Sequence, residues 1–310
     1  MRGRCIAEGY QSVAAFPLMG PDGPIGCLHV ADPKPGRFQG SEQTVEAACR
    51  LAGRIILRHQ ASEREHALLE AIQAALLPST PAQSAHLEVG VCFASATDAA
   101  RIGGDFYDII ELGRGRTLVL VGDYSGRGVE SAGLAARARY TLATLARDTT
   151  TPAALFAAAN RVLRDSLPPT RFVTAVACLF EAGCTTVRVA LAGHPAPIVL
   201  GPEGTREVEG PHSLPLGTMP DTDYRDFQFT LPPEDVLLLY TDGVSEARRG
   251  ESLFGLEGIT QAWRDAHPCG LERLTCAICE ASGAFRDPDL PSDDRLVLAL
   301  RTRPTPDARG

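Results

Sequence analysis

The sequence predicts an α+β protein in which antiparallel sheets are flanked on the outside by pairs of helices. Two observations lead to this fold class. Several strand-like apolar runs follow one another without intervening helices, which argues against the strand–helix alternation of a doubly wound sheet. The helical runs come in consecutive pairs, at 129–147 and 152–167 and again at 255–267 and 271–284. Antiparallel sheets with helix pairs on their outer faces account for both observations.

Length and composition limit the classes of protein that fit. The 310 residues suffice for one large domain or two, and the 44% hydrophobic content supports a substantial core. A net charge of −8 argues against nucleic acid as a partner. The apolar runs are shorter than the roughly 20 residues that span a bilayer, so no membrane association is expected. The nine cysteines are an odd number and lie mostly in apolar runs, which indicates reduced thiols in a cytoplasmic protein.

The first segment, residues 1–56, carries a hairpin signature followed by a helix. Strand-like runs at 12–18 and 25–30 flank a Gly-Pro-Asp-Gly turn, and apolar residues at 45–55 recur with helical spacing after Ser41. These features resemble the C-terminal half of a GAF domain, which implies an α+β sensory segment of partial length. A linker helix is expected over residues 57–79. Its apolar face suits either a coiled coil that forms a homodimer or a helix that packs on its own domain.

The remainder, residues 80–304, is expected to form a single domain of mixed strands and helices, followed by a short tail at 305–310. The predicted strands are apolar runs bounded by turn residues. They cover residues 87–94, 117–123, 172–180, 186–192, 196–200, 236–241 and 295–300.

Four short acidic motifs stand at the edges of these strands. They read GGDFYD at 103–108, GDYSGRG at 122–128, TDGVSEA at 241–247 and SDD at 292–294. Asp-Gly pairs are common in turns, so one such motif alone would indicate little more than a turn. Four motifs that each abut an apolar strand indicate carboxylates that converge in space and repel one another unless a cation lies between them. Hard oxygen donors favour Mg²⁺ or Mn²⁺, so the pattern predicts a metal-dependent active site.

The strand that ends at Asp123 is central to this prediction. Gly126 and Gly128 allow a tight turn after it, so the two carboxylate oxygens of Asp123 can bridge two cations and the carbonyl of Tyr124 can provide another ligand. Asp242 ends a second apolar strand, and the SDD motif begins a third.

The order of GGDFYD, GDYSGRG, AGHPAP, TDGVSEAR and SDD resembles the bacterial SpoIIE/RsbU branch of the PPM (PP2C-like) phosphatases. The resemblance covers about residues 76–301. It implies a PP2C-like β-sandwich flanked by helix pairs, two Mn²⁺ or Mg²⁺ ions and hydrolysis of phosphoserine or phosphothreonine by a metal-activated water. The one departure from the usual pattern is Leu296, where the family often has threonine.

Carried over by motif, the resemblance assigns a role to each acidic residue. Asp123 and Asp242 are the catalytic metal ligands, Asp123 as the bridging one. Asp293 completes the same shell, and Tyr124 supplies a carbonyl. Asp105 lies near the second ion, and Asp294 replaces Asp293 if the register of the last motif shifts by one residue.

Three further residues could contact the substrate, and two other functions share part of the motif pattern. His194 could donate a proton to the leaving group or fix a turn, and the turn is favoured; Arg101 and Arg127 could contact phosphate or solvent. A GGDEF-type cyclase leaves three acidic motifs unexplained and is rejected. A non-catalytic phosphoprotein-binding module is the alternative function. The resemblance implies a phosphorylated regulatory protein of the anti-sigma-factor-antagonist type as the partner.

Overall fold

The computed structural model describes residues 9–21, 23–40, 42–76, 86–94, 103–126, 129–266 and 269–303. The chain divides into two compact units, Met1–Leu68 and Leu69–Gly310. Within the described residues, no helix is both long enough and apolar enough to cross a membrane.

The first unit contains the predicted hairpin. Strands β1 (Ser12–Gly20) and β2 (Gly23–Asp32) pair in antiparallel fashion. Helix α1 (Glu42–Leu76) then runs without interruption, so the expected boundary between a first helix and a linker helix at residue 57 is not marked by any break. A side chain at Gly53 would overlap the carbonyl oxygen of Met19, which shows that the hairpin packs directly on the helix backbone there. Of the predicted features, Ser41 and the end of the linker at 77–79 lie outside the described residues.

The second unit contains the sheets and the two helix pairs. Its longer strands are β3 (Leu87–Ala94), β4 (Asp105–Gly113), β5 (Arg116–Tyr124), β6 (Val173–Glu181), β7 (Thr186–Ala192), β12 (Val236–Tyr240) and β15 (Arg295–Thr302). The short strands are β8 (Ile198–Gly201), β9 (Gly204–Glu207), β10 (His212–Ser213), β11 (Phe227–Thr230), β13 (Arg248–Arg249) and β14 (Ser252–Leu253). The helices are α2 (Val129–Leu145), α3 (Pro152–Ser166), α4 (Asp242–Ser245), α5 (Gly255–Ala266) and α6 (Leu271–Phe285).

Two sheets stack face to face in this unit. One has the strand order β10-β7-β6-β5-β4, with β11 also paired to β7, and the other has the order β3-β15-β12-β8-β9. Side chains alternate along each strand because successive residues point to opposite faces. On β5, Val119 and Val121 join the core between the sheets, whereas Leu118 and Leu120 join the core beneath the outer helices.

The helix pairs cover the outer faces of the sandwich. Helices α2 and α3 pack on the sheet that contains β5, through buried residues such as Leu142 and Phe156. Helices α5 and α6 pack on the sheet that contains β12 and β15, through buried residues such as Ile259 and Ile278. At the start of α3, the side chain of Thr151 accepts a hydrogen bond from the amide of Ala154 at 3.2 Å. The predicted α+β sandwich with flanking helix pairs is confirmed.

Candidate metal centre

The acidic motifs meet at one end of the sandwich, where strands of both sheets begin or finish. Asp105 is the first residue of β4 and lies directly opposite Asp123, near the end of β5. The amide of Tyr124 donates a hydrogen bond to the carbonyl oxygen of Gly104 at 3.1 Å, just beyond this pair. The register of the β4–β5 ladder therefore places the first two predicted carboxylates face to face.

Thr241 connects this pair to the second sheet. Its hydroxyl donates a hydrogen bond to Oδ2 of Asp105 at 2.8 Å and accepts one from the amide of Leu296 at 3.0 Å. Thr241 is fully buried, and its own amide donates to the carbonyl oxygen of Leu296. Asp242 follows at once and begins the short helix α4. Thr241 thus fixes the orientation of the Asp105 carboxylate, a role that the sequence analysis did not assign although the residue stands inside the TDG motif.

The SDD motif approaches the same point from the start of β15. The amide of Gly104 donates a hydrogen bond to Oδ2 of Asp294 at 3.2 Å. A side chain on Gly103 would overlap the Asp294 carboxylate, so the glycine allows this approach. Asp293, the other aspartate of the SDD motif, lines a cleft together with Asp242. Both aspartates of the motif therefore border the centre, and Asp294 has a defined backbone contact there.

The carboxylates of the centre lie close together at a cost in electrostatic free energy. Asp105 is only 5% exposed, and burial followed by repulsion from Asp123 and Asp294 raises its pKa well above the ordinary value. Burial, followed by repulsion from Asp242 and Asp293, raises the pKa of Asp123 to about 8. Desolvation and nearby like charges both disfavour the ionised form of a carboxyl group. A bound cation would reverse that preference.

The donors present fit a hard divalent cation. Carboxylate and carbonyl oxygens are the ligands that Mg²⁺ and Mn²⁺ prefer. A Cβ atom on Gly104 would lie 2.5 Å from both Oδ1 of Asp123 and the carbonyl oxygen of Tyr124, so the glycine leaves the space before these two oxygens open. Within the described residues, no three acidic, histidine or cysteine side chains are already drawn into a compact ligand cluster.

The loop after Asp123 is held by the two residues that directly precede β6. The hydroxyl of Ser125 accepts a hydrogen bond from the amide of Phe172 at 2.8 Å. The guanidinium of Arg171 donates to the carbonyl oxygen of Ser125 at 2.7 Å. These contacts fix the backbone immediately after the Tyr124 carbonyl.

His194 is buried and structural in this arrangement. It is 2% exposed, and its Nδ1 lies 2.9 Å from the hydroxyl of Thr174. Its Nε2 faces the backbone of Tyr240 without a hydrogen bond of good geometry. Burial lowers the pKa of His194 to about 3, which favours the neutral ring near pH 7 and the structural role over proton donation. Arg101 and Arg127, the two candidate phosphate contacts, lie outside the described residues.

A β-sandwich between two helix pairs, with aspartates converging at one end of the strands, defines the class of PP2C-type protein phosphatases. The sequence profile of the family described as Stage II sporulation protein E (SpoIIE) matches residues 113–303, which is more than half of the chain. The chain belongs to this family and is a protein serine/threonine phosphatase.

Known relatives and solved structures agree with this assignment. Phosphoserine phosphatase RsbU from Bacillus subtilis (strain 168) is 24% identical over 235 residues, which are 74% of this chain and 68% of RsbU. The SiaA-PP2C domain of Pseudomonas aeruginosa superposes with a TM-score of 0.63 at 22% identity, over 81% of this chain and 99% of that domain. The RsbU and RsbW domains of Rv1364c from Mycobacterium tuberculosis give a TM-score of 0.61 at 24% identity, over 71% of this chain. This chain spans only 61% of the latter structure.

Proposed function

We propose that this phosphatase hydrolyses phosphoserine or phosphothreonine on a regulatory protein by means of a water activated between two divalent cations. The observation that carries the proposal is the opposed pair of the buried Asp105 and the half-buried Asp123, whose raised pKa values are those expected of carboxylates positioned for a cation. The similar protein RsbX was solved in complex with magnesium, which supports a divalent ion in this class of site.

Each residue of the centre has a proposed role. Asp123 would bridge the two ions, with the Tyr124 carbonyl as an additional ligand. Asp242 and Asp293 would complete the shell of one ion, and Asp105 would face the other. Asp294, whose carboxylate accepts a hydrogen bond from the amide of Gly104, would border the second ion and position the loop around it. The two ions, when bound, supply a hydroxide at neutral pH and offset the negative charge on the phosphoryl oxygens.

The chain itself contributes orientation more than proton transfer. The Thr241 hydroxyl holds one oxygen of Asp105, which leaves the other oxygen of that carboxylate for the ion or its water. His194 is neutral and buried, so a water molecule is the proposed source of the proton for the leaving seryl oxygen. Cysteine chemistry is not needed, which agrees with the raised pKa of the buried Cys178 thiol.

A phosphorylated protein of the anti-sigma-factor-antagonist type is the proposed substrate. The support is the similarity to phosphoserine phosphatase RsbU and to a structure that contains both RsbU and RsbW domains. A sensory role for the hairpin and α1, and a homodimer formed through α1, also remain proposals.

Hydrolysis of p-nitrophenyl phosphate with and without Mn²⁺ tests the reaction. We expect turnover that requires Mn²⁺ or Mg²⁺ and that is lost in Asp123→Asn and Asp242→Ala, with both variants still folded by circular dichroism. Release of phosphate from a panel of phosphorylated antagonist proteins then identifies the substrate. If the wild-type protein binds such a phosphoprotein but shows no metal-dependent turnover, the chain is a binding module instead.

A further inference from the structure

A cleft of about 290 Å³ adjoins the metal centre. Asp242 and Asp293 form one side of it, so the cleft opens directly beside the ligands proposed for the metal ions. Its remaining lining comes from the end of α4, from β13 and from the segment between α6 and β15. A substrate bound at the centre would therefore extend part of its chain over this cleft.

Three arginines line the cleft, together with one carboxylate, the exposed Glu246, that is not among the proposed metal ligands. The arginines are Arg248 on β13, Arg286 after α6 and Arg295 at the start of β15. None of the ion pairs found within the described residues involves any of the three. The Nε atoms of Arg286 and Arg295 are buried and have no hydrogen-bond partner within the described part of the chain.

The side chains of the three arginines differ in their contacts. Arg286 donates to the carbonyl oxygens of Asp287 and Leu290, so part of its guanidinium holds the loop between α6 and β15. The Arg295 guanidinium lies against Gly283 of α6, where an added Cβ would be 3.0 Å from Nη2. The Arg248 side chain is exposed. Among the described residues, the side chains of Arg248 and Arg295 make no such loop-holding contact.

The charge arrangement identifies the kind of group that the cleft accepts. The protein carries a net charge of −8, and its reaction centre is acidic, so an acidic substrate is repelled except where local cations offset that field. Guanidinium groups bind carboxylates in a bidentate manner. The volume is at the lower end for a ligand pocket, which suits one or two side chains and not a folded domain.

We propose that this arginine cleft binds an acidic side chain close in sequence to the phosphoserine of the protein substrate. The proposal rests on the proposed function, because the phosphoryl group must occupy the adjoining metal centre. Arg248 and Arg295 are then specificity-determining residues: they select phosphorylation sites with a neighbouring glutamate or aspartate.

Paired phosphoserine peptides test the proposal. The two peptides of each pair differ only by Glu or Gln at one position, scanned over four residues on either side of the phosphoserine, and kcat and KM are measured with Mn²⁺. For the wild-type protein we expect one position at which Glu lowers KM by about tenfold, as a charge-assisted hydrogen bond predicts. Arg295→Gln and Arg248→Gln should reduce that Glu/Gln ratio towards one, and Arg295→Lys should retain part of it.

The Glu/Gln ratio within one variant cancels any loss of folded enzyme, so a poorly folded variant does not obscure the result. Arg161→Gln, an exposed arginine on α3, is the matched control and should keep the wild-type ratio. A wild-type protein that hydrolyses p-nitrophenyl phosphate but shows a ratio near one at every position overturns the cleft proposal and leaves the phosphatase function intact.

If p-nitrophenyl phosphate is not hydrolysed either, the proposed function fails, and the cleft is then decided by binding alone. Fluorescence anisotropy of the labelled peptides in EDTA gives that readout. Tighter binding of the Glu peptide that disappears in Arg295→Gln supports the cleft, and equal binding of both peptides overturns it.

Discussion

Replacing Asp123 with asparagine should make the metal-free protein more stable while it abolishes the metal-dependent reaction. Burial and the neighbouring Asp242 raise the pKa of Asp123 to about 8, far above the ordinary value of 3.8. The folded protein therefore favours the protonated carboxyl group more than the unfolded chain does. Asparagine has nearly the same shape and no charge, so it removes that difference.

The sign and size of the effect follow from linkage. Because the folded-state pKa of Asp123 is raised, its favourable contribution is present below pH 4 and is lost as the pH rises through about 8. One pKa unit corresponds to about 1.4 kcal/mol, so the full shift sets an upper limit of about 5 kcal/mol near pH 7.5. Relaxation of the site and shared protonation with Asp105 reduce this, and we expect a gain of ~2 kcal/mol.

Urea denaturation in EDTA at several pH values measures the gain in free energy of unfolding. The fluorescence of Trp263, the only tryptophan of the chain, reports on the unit that contains the metal centre. The difference between Asp123→Asn and wild type should widen from pH 5 to pH 8. Adding Mn²⁺ should stabilise the wild-type protein and leave the variant unchanged.

Asp165→Asn is the matched control, because this aspartate side chain is 78% exposed on α3 and its neutralisation should change stability little. A variant at position 123 that is less stable than wild type at pH 8 in EDTA would refute the reasoning. A gain that does not depend on pH would refute it equally, since the effect would then not come from the buried charge.

Three further substitutions probe the surroundings of the centre. Gly104→Ala places a methyl group against Asp123 Oδ1 and should weaken Mn²⁺ binding at least ~10-fold by calorimetry, whereas Gly133→Ala, which meets open space, should not. Thr241→Val removes both hydrogen bonds of the buried hydroxyl; it should cost ~2 kcal/mol in urea denaturation and weaken Mn²⁺ binding, and Thr241→Ser should restore most of both. Asn160→Ala breaks the buried contacts to the backbone of Met219 and Gly217 and should cost ~2 kcal/mol, with Mn²⁺ affinity unchanged.

The sequence predicted most long elements of the fold because each has a strong apolar or periodic pattern, but β4 (Asp105–Gly113) was not among the predicted strands. Strand β3 and strand β7 have the predicted bounds, and the ends of the four long predicted helices differ from the structure by one or two residues. The short strands β9, β10, β11, β13 and β14 were not predicted. Runs of two to four residues show no period, and their pairing depends on distant partners. The continuity of α1 across residue 57 was not predicted either. The sequence pattern indicates where helical residues lie, but it does not show whether two adjacent helical stretches join or separate.

The site was predictable to the extent that it consists of strand ends. Asp105, Asp123 and Asp242 adjoin apolar runs. Antiparallel pairing of β4 with β5 brings the first two together, and Asp242 reaches them from the second sheet. The contact of Thr241 with Asp105 spans 136 residues, and the arginine cleft combines side chains from 248, 286 and 295. The first contact forms only when the two sheets stack, and the cleft forms only when β13, the end of α6 and the start of β15 meet. No local sequence pattern predicts either of them.

The β4–β5 ladder places its two facing aspartates on the last rung, and this position has a kinetic consequence. Like charges directly across a strand pair are unfavourable, yet at the end of the ladder only the start of β4 must move to separate them. Without a cation, this rung should open before any other part of the sandwich and expose the Tyr124 amide, which is bonded to the Gly104 carbonyl, to hydrogen exchange. The apolar rungs behind it set the register, so a cation bound at the proposed centre would close only the last rung of a sheet that has already formed.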